Sequence, residues 1–134
     1  MDKAERLDLA VRVQLAAIRA DEVRTRTALL ERQYAPVAKA IEGYVGLYGR
    51  DADPADDFDV FVGLVVQNGG ANLGREDVLA AMEMYAERAA ASHAAADVMQ
   101  ELHTAMGDHR GTVAKWVGCT RKQLTSAVTA RLDA

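Results

Sequence analysis

Five carboxylates fall within nine residues at 51–59, DADPADDFD, a density that raises the question of calcium. A calcium loop sets acidic or amide ligands at alternate positions and then a glycine. Pro54 and Ala55 interrupt that order, so the stretch reads as a solvated linker running into a helix. In GGANLGRE, Gly69 and Gly74 have the separation of a phosphate-binding loop. Arg75 stands where the lysine is needed, and Glu76 where a magnesium-binding Ser or Thr belongs, and Glu76 would repel a phosphate. His93, His103, His109 and Cys119 form neither CxxC nor HxxxH, so no metal site is expected. No Ser-His-Asp order, paired-carboxylate motif or glycine-serine elbow is present. Neither enzymatic activity nor a cofactor is therefore expected. Met82, Met84, Met99 and Met106 could line a soft groove, but core packing explains them more simply.

What remains is a basic cluster near the C-terminus, VAKWVGCTRKQLTSAV at 113–128. The formal net charge of −4 conceals its polarity. Residues 1–102 carry eleven basic and eighteen acidic groups, whereas 103–134 carry five basic and two acidic. Such a balance argues against a general nucleic-acid coat and leaves room for one local polyanion contact. A helix that stops at Gly118 and restarts on Arg121 and Lys122 would present those cations at a helix start.

Residues 110–132, RGTVAKWVGCTRKQLTSAVTARL, resemble the helix-turn-helix of Cro- and repressor-type DNA-binding proteins. Ala114 is the small residue where two helices cross, and Gly118 takes the turn position that needs positive φ. Val113 and Val117 point inward from the first helix, and Cys119 fills the apolar position after the glycine. Thr120 suits the cap of the second helix, whose buried face would be Leu124, Ala127 and Val128. The resemblance places DNA-facing residues at Thr120, Arg121, Lys122, Thr125, Ser126 and Thr129, every one polar. Arg121, Lys122, Thr125 and Ser126 would meet bases or the groove, with Arg110, Thr112 and Lys115 on phosphates. Trp116 departs from the pattern, because that position usually faces solvent. An indole there suggests packing on the N-terminal helices or on a protein partner.

The elements that must position this pair read as helices. Aromatics are only 5% of a chain that is half apolar, which favours close-packed helices over a sheet sandwich. Ala4, Leu7, Val11, Leu15 and Ile18 mark one face of a long helix within 3–34. LDLAVRVQL at 7–15 also alternates like a strand, but its flanks are strong helix formers. Leu9 and Val13 face away from Leu7 and Val11, so this helix is either central or shared with a second copy. Pro36 should restart the chain into a helix through Val37, Ile41, Tyr44 and Leu47. Asp53 and Pro54 form a cap and first-turn pair. DFDVFVGLVV at 57–66 leaves helix and buried strand in competition, with helix ahead. QNGGANLG is a loop, and 75–106 is helical as one helix or two split near Ser92, ended by Gly107.

The expectation is an all-α protein: a helical body at 1–106 that oligomerises, and a helix-turn-helix at 107–134. No run reaches the roughly 18 apolar residues of a membrane span, and the charged start MDKAERLDLA lacks a signal-peptide core. A cytoplasmic protein is therefore expected. By resemblance it would bind double-stranded DNA as a small bacterial or phage transcriptional regulator. A homodimer through the 3–34 helix would double the contacts. The competing expectation is a helical interaction or assembly protein with no nucleic-acid role, anchored near Trp116.

Overall fold

A computed structural model describes residues 1–106 and 113–134. It is all-α, with no strand among the described residues. The helices are α1 (Lys3–Arg26), α2 (Ala35–Tyr48), α3 (Phe58–Gln67), α4 (Arg75–Met106), α5 (Val113–Val117) and α6 (Arg121–Leu132). Both segments with strand character, 7–15 and 57–66, are helical, and α4 runs unbroken past Ser92. Arg110, Thr112 and the stop at Gly107 lie outside the described residues.

The chain divides into two compact units, residues 1–23 with 90–134, and residues 24–89. The central unit is continuous in sequence. Its core joins Leu30 and Tyr34 to Val37, Ile41 and Tyr44 of α2, Phe61 and Val65 of α3, and Val78 and Ala81 of α4. Phe61 meets the Tyr44 ring edge-on at 6.3 Å between centroids. Helix entry follows expectation here: Pro36 lies in the first turn of α2, and Asp53 Oδ1 accepts from the Ala55 amide at 2.9 Å. Gly70 is required by space, since a Cβ there would lie 2.4 Å from Val65 Cγ1 and 2.9 Å from the Val65 carbonyl oxygen.

The first helix ends earlier than the 3–34 reading, at Arg26, followed by a 3-10 turn at Ala28–Glu31. Helix ends leave carbonyls without intrahelical partners. Arg88 of α4 takes this role, donating from Nη2 to the carbonyls of Arg24 and Thr27 and from Nε to Thr27 Oγ1. The same guanidinium pairs with Glu31. A side chain 61 residues beyond Thr27 therefore meets the break.

The other unit is built on α1, whose two apolar sides are both covered within the chain. Leu9 and Val13 pack with Leu102, Val98 and Met106 of α4. Ala10 and Val11, on the neighbouring side with Leu7, Leu15 and Ile18, pack with Val117, Leu124 and Val128. Of the two sequence alternatives, this is the central helix.

Candidate nucleic-acid interface

The turn between α5 and α6 is specified from both sides. Gly118 has φ +79°, the left-handed region that favours glycine. Its amide donates to the Lys115 carbonyl, and the Cys119 amide donates to the Ala114 carbonyl, each at 3.1 Å. Those two bonds make a Schellman motif, and Ala114 and Cys119 pack on one cluster as its apolar contact. One residue later α6 begins on a capping box. Thr120 Oγ1 accepts from the Gln123 amide at 3.1 Å, and Gln123 Oε1 accepts from the Thr120 amide at 2.9 Å. Stop and restart occupy three residues.

Two polar contacts tie this pair to α1. Arg6 Nη1 donates to the Trp116 carbonyl at 3.2 Å, close to the C-terminal end of α5. Arg131 Nη2 donates to Asp8 Oδ1 at 2.8 Å, near the end of α6. Between them, Leu124 and Val128 are buried and Ala127 is partly buried, as the spacing predicts. Trp116 packs against both clusters around α1, which is the first of its two expected roles. The contacts of Arg6, Asp8 and Arg131 were not legible, since nothing local pairs residues more than a hundred positions apart.

Of the remaining sequence-derived residues, Lys115, Arg121, Thr125 and Thr129 line one groove, and Thr120, Lys122 and Ser126 do not. Thr120, Arg121, Lys122, Thr125, Ser126 and Thr129 are all exposed on α6 or at its cap, and Lys115 is exposed on α5. Thr125 Oγ1 donates to the Arg121 carbonyl and Thr129 Oγ1 to the Thr125 carbonyl, each at 2.9 Å. Their hydroxyl protons are thus engaged with the helix backbone. Arg121 and Lys122 form no ion pair among the described residues.

The electrostatics of the α6 start run against ordinary helix design. The N-terminal turn carries partial positive charge and favours carboxylates. Helices α1, α3 and α4 comply, with Glu5, Asp59, and Glu76 and Asp77 in their first turns. Helix α6, like α2 and α5, has no acidic residue there, and it begins on Arg121 and Lys122. Cations in a first turn are disfavoured by about a few tenths of a kcal/mol.

The rejected motifs have structural roles. The Gly74 amide donates to Asp77 Oδ2 at 3.2 Å, so a carboxylate already occupies the start of α4. Tyr34 donates to Asp77 Oδ1 at 3.4 Å, and burial first, then Asp77, holds its phenol above the usual range. Among the described residues no three His, Cys, Asp or Glu side chains come together as a metal site, and no helix is long and apolar enough to cross a membrane. No family model, curated protein or solved structure matches the chain.

Proposed function

We propose that this protein binds double-stranded DNA through α6, as a small transcriptional regulator that reads a short sequence. The observation that carries the reading is the pair Arg121 and Lys122, unpaired among the described residues, in the first turn of a helix that follows a tight turn. A major groove admits one helix whose N-terminal turn meets base edges. Arg121 donates in pairs to guanine, Lys122 and Lys115 reach phosphates with Arg110 and Thr112, and Thr120, Thr125, Ser126 and Thr129 complete the polar face.

Two copies would act together, because one recognition helix gives weak and poorly specific binding. Since both apolar sides of α1 between Leu7 and Ile18 are covered within the chain, a dimer would use another surface.

Fluorescence anisotropy with mixed-sequence duplex at low and moderate salt tests the reading. Counterion release gives a log–log salt slope of about −0.9 per neutralised phosphate, so four contacts give about −3.6. The double substitution Arg121→Ala/Lys122→Ala should abolish most binding while leaving the circular dichroism unchanged. A folded wild type that ignores duplex at low salt would refute the proposal and favour a protein-interaction role.

A further inference from the structure

Beside the outward face of α6 runs an open groove of about 820 Å³, formed within one unit by α1, α5 and α6. That volume lies in the range of small-molecule sites, about 300–1,000 Å³. Ile18, Val113, Leu124, Val128 and Leu132 give it an aliphatic surface, and no aromatic ring lines it among the described residues. Leu132 is 54% exposed, so an apolar side chain there stands ready to be covered.

The charge on the polar rim is basic among the described residues. Among the described residues, the charged side chains that line it are Lys115 and Arg121, both basic. Thr125 and Thr129 also line the groove, but their hydroxyl protons go to backbone carbonyls. Of the two cations, Arg121 forms no ion pair among the described residues and has the planar fork that matches a carboxylate.

We propose that this groove binds an aliphatic monocarboxylate. The carboxylate sits on Arg121, and the acyl chain lies along Leu124, Val128 and Leu132. From Arg121 to Leu132 the helix rises about 16 Å, which accommodates a medium-length chain. The aliphatic side chains among the described lining residues favour an acyl body over a flat ring system, and the basic pair Lys115 and Arg121 favours an acid over an alcohol or an amine. The occupant engages Arg121 and covers Thr125 and Thr129, so ligand and duplex exclude each other. This last consequence alone rests on the DNA-binding reading.

Isothermal titration of the full chain with decanoate, below its micelle concentration, tests the site directly. Decanol and decyltrimethylammonium are the uncharged and cationic controls. Saturable one-to-one binding of decanoate is expected, at least tenfold weaker for decanol and for Arg121→Gln. Leu132→Asp, at an exposed position that leaves the fold intact, should weaken it comparably. Absence of saturable decanoate binding by a folded wild type would overturn the proposal, as would equal affinity for Arg121→Gln or for the ammonium. Decanoate releasing bound duplex would establish exclusion. Retention of duplex at saturating decanoate would overturn the placement on Arg121. If the protein ignores duplex altogether, the titration still decides the site.

Discussion

The two units differ at one group of cations, because both tie arginines to carbonyls or carboxylates and only the terminal unit starts a helix on two cations with no ion pair among the described residues. In the central unit, residues 24–89, Arg26 pairs with Glu87, Arg88 with Glu31 and two helix-end carbonyls, and Arg75 lies 4.7 Å over the Phe58 ring. That unit carries seven basic and eleven acidic residues, so its cations sit among an excess of partners. The other unit carries nine of each, yet gathers Lys115, Arg121, Lys122 and Arg131 against Asp133 at its C-terminal end. Arg131 is tied to Asp8, whereas Arg121 and Lys122 are left in the first turn of α6. Where a cation shapes the fold it is met by carbonyls or carboxylates. Arg121 and Lys122 depart from helix electrostatics without an ion-pair partner among the described residues, and the proposed duplex contact rests on them.

Replacing one arginine from each unit would test that division most severely. Arg88→Met removes charge-assisted hydrogen bonds to the Arg24 and Thr27 carbonyls and to Thr27 Oγ1, beside a residue that is 1% exposed. Bonds to a charged donor contribute about 1.5–3 kcal/mol each and are not additive, so a loss of about 3 kcal/mol is expected in urea unfolding. Arg121→Gln should change stability by less than about 0.5 kcal/mol, the scale of an ordinary surface substitution, while weakening duplex binding. Equal destabilisation by both substitutions would erase the contrast.

A pair of glycines sharpens the comparison at smaller energies. At Gly118 nothing lies within 4 Å of an added Cβ, so Gly118→Ala is costly only through its φ of +79°, by about 1–2 kcal/mol. Gly118→Asn should recover part of that loss, because Asn tolerates the left-handed region. At Gly70 the obstacle is space against Val65, so Gly70→Asn should be no better than Gly70→Ala. Thermal unfolding of the four variants distinguishes the two causes.

Local chemistry in the sequence was enough to place the turn. Gly118, Thr120 and the spacing of Leu124 and Val128 state a stop, a cap and a buried face within eleven residues, and all three are realised. Apolar spacing likewise made α1 two-sided, though not what would cover each side. The early end of α1 was hidden because its cause, Arg88, is remote in sequence and looks like any exposed helix cation. The groove was hidden for the same reason. Gln14 and Ile18 belong to an ordinary α1 face until α6 is laid beside them.

The smallest expected effect is a pH dependence that belongs to the central unit. The hydrogen bond from Arg88, reinforced by its charge, holds the Glu31 carboxyl below its ordinary value of 4.5 despite opposing desolvation. A carboxyl whose pKa is lower folded than unfolded stabilises the fold in full above its unfolded value. That contribution fades as pH falls below about 4.5 and is gone once pH has passed through the folded pKa. Glu31→Gln should therefore flatten the acid limb of the stability profile between those two values while changing stability little at the acid end. Arg88→Met should flatten the same limb, because the cause of the shift is removed with the guanidinium. Arg121→Gln should leave it intact, since Arg121 has no part in the Glu31 interaction. Urea midpoints measured from pH 3 to 7 for the three variants would show whether the acid limb tracks the Arg88–Glu31 pair. A limb that also moved with Arg121 would mean that the two sets of cations are not separable.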